Sequence, residues 1–305
     1  MKGNKPKQPR LKKALSLNTK RFDYEDFFMG VLESKNYSKK RTFTQDYRLK
    51  KLTEFLKLEK GNLLDIGCGG GIITESLPYY YPKVSIYGCD ISLKAIKFSK
   101  KLGSGKVNYS LIKNKRLPYP DNYFDACIAL DVIEHIPNVT FFLKEVKRVL
   151  KKDGYFFSHT PCEGQKYTHT WFSKKLGFLE NITFKRYGHI HPEFTHQYLE
   201  QMIENAGFKI KQKDYSEHFI YQFLSLIFYF IPLEVLEKVL GKKADLYKDK
   251  KVVESTNKNK DGLMDFRRTW LKLTAFSRLV TYWELVVFKK VPFGALKLNV
   301  LSIKK

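Results

Sequence analysis

The segment Leu63–Gly71 constrains the fold of this chain more than any other. It reads Leu-Leu-Asp-Ile-Gly-Cys-Gly-Gly-Gly, an apolar strand pattern that runs into an acid and then into a glycine turn. Glycines lack a Cβ atom, so such a turn can bend sharply and come close to a ligand. A second strand pattern ends at Asp90. Because neighbouring parallel strands bring their carboxyl ends to one binding edge, the two segments predict a nucleotide-type site in which Asp90 accepts hydrogen bonds from two ribose hydroxyls.

The spacing of the glycines argues against two common nucleotide sites. A dinucleotide fingerprint requires G-x-G-x-x-G, and here Gly67 and Gly69 fit, but Ile72 stands at the third position. Gly71 instead makes the pattern G-x-G-x-G, which counts against NAD or FAD. The turn also lacks the phosphate-binding lysine of a P-loop, which has the pattern G-x-x-x-x-G-K-[ST].

The glycine turn and four later segments resemble, in order, the class I S-adenosylmethionine (SAM)-dependent methyltransferases. The later segments are Arg116–Asp125, Ala129–Pro137, Phe142–Pro161 and Phe194–Phe208. The likeness is closest to the methyltransferases of quinone, lipid and cell-envelope glycan pathways, and it covers residues 45–214 plus the last strand. SAM carries no phosphate, and residues 65–75 contain no Lys or Arg that would bind one. The expected cofactor is therefore SAM.

The resemblance implies an α/β, Rossmann-like fold with a mostly parallel sheet of seven strands. The last strand is antiparallel, helices cover both faces, and this chain adds a helical insertion before the last strand. The sequence patterns alternate as such a fold requires. Strands are predicted near 62–66, 84–90, 106–112, 123–130, 155–160, 209–214 and 294–303, and helices near 20–36, 42–58, 72–78, 92–102, 138–151 and after Thr195.

The resemblance also implies which residues bind SAM. The glycines would pack against its methionine half, Asp65 would orient its ammonium group, and Asp131 would line the methionine end. Where the family usually has an acid that contacts the adenine amine, this chain has Lys113 and Asn114, so Asn114 is expected to serve through its amide oxygen. The full set of expected cofactor-binding residues is Asp65, Gly67, Gly69, Gly71, Asp90, Ile91, Asn114 and Asp131.

Methyl transfer to oxygen requires removal of a proton from the acceptor, and histidine is the usual base near neutral pH. Five of the seven histidines fall within residues 159–196. The candidate bases are His159, His169 and His191. A reaction without a dedicated base is the alternative, since proximity alone suffices for many methyltransferases.

Other histidines are expected to be structural or unassigned. By resemblance, His135 belongs to the turn after the fourth strand. His189, His191 and His196 lack a Cys or an acid at convincing ligand spacing, so no metal is predicted. The four cysteines are scattered without a C-x-x-C pair, which fits a reducing cytosol rather than a disulfide framework.

The net charge of +25 is concentrated in part at the N-terminus. Residues 1–22 contain eight Lys or Arg and no acid, with glycine and prolines that discourage a helix, so this segment is predicted to be a flexible basic arm. It has no apolar signal region. Such an arm can bind RNA or anionic lipid headgroups, although a generally lysine-rich composition explains it equally well.

The predicted methyltransferase domain, 23–214 plus 294–305, is interrupted by a long insertion at 215–293. Two apolar, aromatic stretches, Phe219–Leu233 and Leu271–Phe288, flank a polar, lysine-rich stretch at 242–260. The first is interrupted by Pro232 and is too short to span a bilayer, which takes about 20 residues. Apolar helices flanked by Lys and Arg favour peripheral contact with the membrane interface. A helical lid or a dimer surface is the alternative.

The sequence thus predicts a SAM-dependent methyltransferase that acts on oxygen of a lipid, isoprenoid or quinone, or lipid-linked glycan. The expected location is the cytoplasm, with peripheral contact at the inner membrane face. Two alternatives remain. An RNA methyltransferase would use the basic surface, but no RNA-binding module and no Asn-Pro-Pro-Tyr motif follow the fourth strand. A non-catalytic, SAM-binding membrane adaptor would tolerate a degraded glycine motif, whereas this one is intact.

Overall fold

The computed structural model describes residues 46–175, 188–227 and 283–305. These residues form one sheet whose strands are β1 (Gly61–Ile66), β2 (Val84–Asp90), β3 (Val107–Leu111), β4 (Phe124–Leu130), β5 (Leu150–Pro161), β6 (Phe208–Ser216) and β7 (Lys297–Lys304). The strand order is β3-β2-β1-β4-β5-β7-β6. β7 lies antiparallel between β5 and β6, and the other pairs are parallel. The predicted Rossmann-like fold class is confirmed.

Four of the described helices begin at a residue whose side chain caps them. The described helices are α1 (Tyr47–Phe55), α2 (Leu77–Tyr80), α3 (Leu93–Leu102), α4 (Val139–Val149), α5 (His169–Lys175), α6 (His196–Asn205) and α7 (Phe219–Ser225), and residues 283–287 form a further helical turn. The Thr195 hydroxyl accepts a hydrogen bond from the backbone N–H of Tyr198, as predicted for the start of α6. Asp46, Ser92 and Asn138 cap α1, α3 and α4 in the same manner.

One predicted helix differs from the structure. The pattern at 72–78 predicts a helix directly after the glycine turn, whereas the chain forms a 3₁₀ turn at Thr74–Ser76 and then the single α-helical turn α2. Gly71 still has a positive φ of 81°, which delays the helix. Pro78 then occupies the first turn of α2, where its missing N–H costs no hydrogen bond.

The two faces of the sheet are buried by different helices. Side chains of β4 alternate, with Cys127 and Ala129 facing a cluster that includes α4 and α6, and Ile128 facing a cluster that includes α1, α2 and α3. Every residue of β4 from Ala126 to Leu130 is buried. Strands covered on both faces read as continuous apolar runs, which explains the unbroken pattern in this part of the sequence.

The antiparallel strand β7 brings polar side chains to the edge of the sheet at which the parallel strands end. The parallel strands end at one edge, and β7 begins there, because Lys297 pairs with both Pro161 and Ser216. Asn299 pairs with His159 of β5 and Asp214 of β6. Polar residues from three strands therefore converge beside the end of β4.

Several predicted features lie outside the described residues. They are the basic arm 1–22, the helix near 20–36, the start of the helix near 42–58 and the polar stretch 242–260. Of the insertion 215–293, only its two ends are described. In the described part of the chain, every helix is too short or too polar to traverse a bilayer.

Candidate functional site

The glycine turn uses its own backbone donors to hold its shape. The N–H groups of Gly67 and Cys68 both donate to the carbonyl of Cys89, at 2.7 and 3.1 Å, and Gly71 donates to Cys68 at 2.9 Å. Gly67 has a φ of 72°, and a Cβ atom there would lie 2.5 Å from Cγ2 of Val132. A side chain at this position would therefore collide with the residue that follows Asp131.

Asp90 completes the turn from the neighbouring strand. One carboxylate oxygen accepts from the N–H of Gly69 and the other from the N–H of Ser92, both at 2.8 Å. The side chain is buried, while the adjacent Ile91 is 59% exposed. Each carboxylate oxygen can accept more than one hydrogen bond, so a carboxylate fixed in this way is suited to accept from ribose hydroxyls as well.

This geometry fits SAM and does not fit a phosphate-bearing cofactor. A phosphate site at a glycine turn needs backbone N–H groups directed at the ligand. Here the N–H groups of Gly67, Cys68, Gly69 and Gly71 donate to acceptors within the protein. What remains is a close-packed turn beside two buried acids, which suits a ligand with hydroxyl and ammonium donors.

Asp65, at the end of β1, is the second of these acids. Its side chain is buried and accepts a hydrogen bond from the hydroxyl of Thr74 at 2.7 Å. Burial raises the pKa of this carboxyl to about 7, although the Thr74 hydrogen bond and the charge of Arg48 oppose the shift. A nearby ammonium group would favour the ionised form. The expected contact of Asp65 with the ammonium of SAM stays a prediction.

Asn114 lies at the tip of the turn after β3. Its side chain is exposed, and its backbone has a φ of 53° within the turn closed by Lys113 and Arg116. The preceding Ile112 donates its N–H to the carbonyl of Asp90 at 2.8 Å, so this turn starts beside the expected ribose position. The predicted adenine contact of Asn114 stays a prediction.

Asp131 follows β4 in a strained conformation that its neighbours stabilise. Its φ is 57°, which is uncommon outside glycine. Oδ2 accepts from Arg48 of α1 and Oδ1 from Lys297 of β7, each at 2.8 Å. Burial opposes ionisation of Asp131, but the charges of Lys297 and Arg48 more than offset it and hold its pKa below the usual range. Strained residues held in place by their surroundings are concentrated at functional sites.

His159 is the candidate base that lies nearest to Asp131. Its Nε2 atom lies 3.6 Å from Asp131 Oδ1 and 3.2 Å from the hydroxyl of Tyr47. The imidazole is completely buried, and burial lowers its pKa to about 3. His159 is consequently neutral at physiological pH.

The hydrogen bonds of Asn299 fix the tautomer of His159. The Nδ2 group of Asn299 donates to Asp214 at 2.8 Å and to Ser216 at 3.2 Å, so its Oδ1 atom faces His159. His159 Nδ1 lies 2.5 Å from that oxygen and must carry the proton that it donates. The unprotonated Nε2 is thereby directed toward Tyr47 and Asp131.

Tyr47 links this histidine to a second acid. Its hydroxyl contacts both His159 Nε2 and the carboxylate of Glu217. Burial and the charge of Glu217 raise the pKa of Tyr47, so the phenol stays protonated. Glu217 also lies 3.3 Å from Lys297 Nζ. We refer to Tyr47, Asp131, His159, Glu217 and Lys297 as the acceptor-side cluster.

The other two candidate bases have different surroundings. Both ring nitrogens of His191 are engaged, Nδ1 with Glu193 at 2.9 Å and Nε2 with the carbonyl of Ile136 at 2.8 Å, and its ring stacks on Phe194. His169 has Nδ1 3.1 Å from Gln222 Oε1, and burial lowers its pKa. The geometry therefore favours His159 over His191 as a group that takes part in proton transfer.

Four residues in or beside the acceptor-side cluster were not identified from the sequence. Lys297 and Asn299 stand two apart in β7 and share a face between apolar neighbours, a pattern that marks two polar residues directed at the same region. The sequence therefore contained an indication of Lys297 and Asn299. It contained none of Tyr47 and Glu217, because only the tertiary fold brings α1 and the end of β6 to this edge.

Comparison with known proteins agrees with the geometry. Residues 64–158 match the family model of a methyltransferase domain. A ubiquinone biosynthesis O-methyltransferase of Pelagibacter ubique is 34% identical, over 40% of this chain and 50% of that protein. A malonyl-[acyl-carrier protein] O-methyltransferase of Legionella pneumophila is 28% identical, over 35% of this chain and 38% of that protein. The chain thus spans about half or less of the length of these relatives.

A solved structure shows the same fold. Phosphoethanolamine N-methyltransferase 2 of Haemonchus contortus, in complex with SAM, has a TM-score of 0.52 and 16% identity, and the match covers 93% of this chain and 60% of that one. This likeness concerns the fold, whereas the family model identifies residues 64–158 as a methyltransferase domain. Residues 64–158 are thus a methyltransferase domain with the class I SAM-dependent fold, and the cofactor of this domain is S-adenosylmethionine.

Proposed function

We propose that the protein transfers a methyl group from SAM to an oxygen atom of a lipid, isoprenoid or quinone, or lipid-linked glycan. The observation that carries this proposal is the acceptor-side cluster, which lies beside the expected methionine end of SAM and joins a neutral phenol to a neutral imidazole and a carboxylate. The O-methyltransferase names of the two relatives support an oxygen acceptor.

The cluster has the properties that proton removal from a hydroxyl requires. SAM supplies a methyl group on a positively charged sulfur, and the acceptor oxygen becomes strongly acidic only as its bond to carbon forms. A weak base therefore suffices. Tyr47 is half-buried, so its hydroxyl can accept the proton of the acceptor while it passes its own proton to His159 Nε2 or to Glu217. Lys297 contacts the carboxylates of both Asp131 and Glu217, and its charge holds Asp131 ionised.

Exclusion of water supports the same role. His159 is fully buried, and Glu217 is buried between β6 and α7. Methyl transfer depends mainly on alignment and desolvation of the two reactants. A buried polar cluster at the end of a rigid strand can align a hydroxyl group without competition from bulk water.

An exposed aromatic surface adjoins this cluster. Seven aromatic side chains on three neighbouring segments are each 42–69% exposed, namely Tyr167, Phe172, Phe219, Phe223, Trp283, Phe288 and Phe293. We call them the aromatic surface. Gln222 of α7 ties the segments together, because its amide group donates to the carbonyls of Glu217 and Gly294 and its oxygen accepts from the N–H of His169.

The aromatic surface suits contact with an anionic membrane. Exposed aromatic side chains with cationic neighbours favour the region between headgroups and acyl chains, and Lys174, Lys175, Lys289 and Lys290 are exposed on the same segments. Each cation near an anionic surface contributes about 1 kcal/mol. We therefore infer that the protein works at the inner membrane face and takes its acceptor from the lipid phase.

The acceptor class can be tested by separating possible acceptors. Purified protein is incubated with methyl-labelled SAM and, in parallel, with a cell-envelope lipid extract, with total RNA and with water-soluble metabolites. Label is expected in the lipid extract alone, in a product whose new methyl group is bonded to oxygen. Label in RNA, or SAM binding without label in any fraction, would contradict the proposal.

A further inference from the structure

Four ionisable side chains outside the acceptor-side cluster meet where the turn after β4 touches residues 188–191. They are Glu134 and His135 of the 3₁₀ turn Ile133–His135, Glu163 after β5, and His189. The ligand atoms of Glu134, His135 and His189 all lie within 4.8 Å of one another. The sequence predicted no metal, because no Cys or acid stood at convincing ligand spacing from His189; Glu134 and His135 are 55 and 54 positions away from it.

The Glu134 carboxylate is the unusual member of this group. It is 1% exposed, and neither of its oxygens has a hydrogen-bond partner among the described residues. A buried carboxylate without a partner is strongly unfavourable. Burial accordingly raises the pKa of Glu134. Either a proton or a bound cation would relieve this cost. The orientation of the two imidazole rings favours a cation.

Each histidine donates its Nδ1 proton away from Glu134. His135 Nδ1 lies 3.1 Å from the carbonyl oxygen of Gly188, and His189 Nδ1 lies 2.6 Å from Oε1 of Glu163. Because both partners are acceptors, both Nδ1 atoms carry protons. In the neutral form of each ring, the lone pair is therefore on Nε2.

Both Nε2 atoms lie near the same oxygen of Glu134. The distances to Oε1 are 3.8 Å for His135 and 3.9 Å for His189, too long for hydrogen bonds. Oε1 of Glu134 and the Nε2 atoms of His135 and His189 thus lie around one small space, and each can donate a lone pair to a metal. In a tetrahedral zinc site, bonds of about 2.1 Å place ligand atoms about 3.4 Å apart, so each Nε2 atom would approach Oε1 of Glu134 by about half an ångström on coordination.

The supporting contacts are those of a preformed metal site. Histidine ligands almost always donate their second N–H to a carboxylate or to a backbone carbonyl, and here Glu163 and Gly188 accept these two protons. The backbone is fixed as well, since Ile190 donates its N–H to the carbonyl of Glu134 at 3.0 Å. The ligands therefore need little reorganisation.

We propose that Glu134, His135 and His189 bind a divalent metal of the zinc class, with Glu163 orienting His189. Three protein ligands leave at least one coordination position for water or another ligand. Imidazole and carboxylate ligands together suit zinc. The metal would also bind the turn after β4 to residues 188–191. This site is separate from the proposed methyl transfer and does not depend on it.

Metal content measures this proposal without an activity assay. The full chain is stripped with chelator, incubated with Zn²⁺, dialysed and analysed by elemental mass spectrometry, and Co²⁺ is added to a second sample to record its absorption bands. We expect about one zinc per chain in the wild type. Glu134→Gln and His189→Gln should each weaken binding at least tenfold, whereas Glu59→Gln, an exposed glutamate, serves as the matched control.

Thermal unfolding separates loss of the metal from loss of the fold. In metal-free protein, Glu134→Gln should unfold at the same or a higher temperature than the wild type, because the amide is always neutral and avoids the cost of burying a carboxyl group that water would ionise. Zn²⁺ should raise the Tm of the wild type and of Glu59→Gln, but not that of Glu134→Gln. Wild type that retains no zinc, or variants that bind zinc as the wild type does, would overturn the proposal.

Discussion

The Nδ1 atom of His159 lies 2.5 Å from Oδ1 of Asn299, and this contact sets which nitrogen of the imidazole faces the acceptor-side cluster. Asn299→Leu removes the oxygen and leaves the tautomer of His159 unfixed. We expect kcat to fall at least about tenfold, the effect of losing one hydrogen bond to a group engaged in proton transfer. The KM for SAM should change little, because SAM is expected at β1 and β2. Steady-state kinetics on the identified acceptor measures both values.

A control for this variant lies on the edge strand β3. Asn108 is exposed there, and Asn108→Leu should leave both kcat and KM unchanged. An equal decrease of kcat in Asn299→Leu and Asn108→Leu would show that Asn299 does not act through His159. A change confined to the KM for SAM would show the same.

The depressed pKa of His159 makes its contribution to stability depend on pH. The unfolded chain protonates this histidine below about 6.5, whereas the folded protein does so only near 3. The unfolded state therefore binds more protons between these values, and stability from this group is complete above 6.5 and decreases as pH falls. His159→Gln abolishes the effect. The difference in unfolding free energy between wild type and His159→Gln should shrink by about 2 kcal/mol from pH 8 to pH 5.

Urea denaturation at several pH values checks this expectation. Glutamine is uncharged throughout, so the slope of its stability against pH reports all other groups. A free-energy difference that stays constant with pH would mean that His159 titrates normally in the folded protein.

Lys51 and Asp214 form a buried ion pair beneath the same cluster. Their charged atoms are 2.6 Å apart, and both side chains are almost completely buried. Removal of one partner leaves an uncompensated buried charge, which costs about 3–5 kcal/mol. Lys51→Met should therefore lower the free energy of unfolding by this amount, measured by urea denaturation. The double variant, which combines Lys51→Met with Asp214→Asn, should be destabilised less than the single variant. A single variant as stable as the wild type would contradict the pairing.

The aromatic surface is expected to drive membrane binding. Phe219→Ser combined with Phe223→Ser and Phe293→Ser removes apolar area without touching the acceptor-side cluster, so flotation with phosphatidylglycerol vesicles should decrease at least about tenfold. Phe141→Ser, an exposed phenylalanine on α4, is the matched control. Undiminished flotation of the triple variant, or equal loss in the control, would remove the support for a membrane role.

The sequence predicts the fold well where one local pattern determines one element. β2 occupies 84–90 as predicted, and Thr195 caps α6 as predicted, because apolar runs and caps act over a few neighbouring residues. The site is predicted less completely. Tyr47 and Glu217 are 170 positions apart, and Glu134 and His189 are 55 positions apart. Contacts of this kind depend on the order of the strands, which no short segment encodes.

Titration calorimetry of SAM binding by the wild type and by Asp90→Ala shows whether the glycine turn and Asp90 form the cofactor site. The wild type is expected to bind one SAM per chain, and Asp121→Ala, whose carboxylate is exposed, should bind equally well. Hydrogen bonds to a charged group contribute about 1.5–3 kcal/mol, so Asp90→Ala should bind about 10- to 100-fold more weakly. Wild type that does not bind SAM, or Asp90→Ala that binds it with unchanged affinity, would contradict the assignment of the glycine turn and Asp90 as the cofactor site.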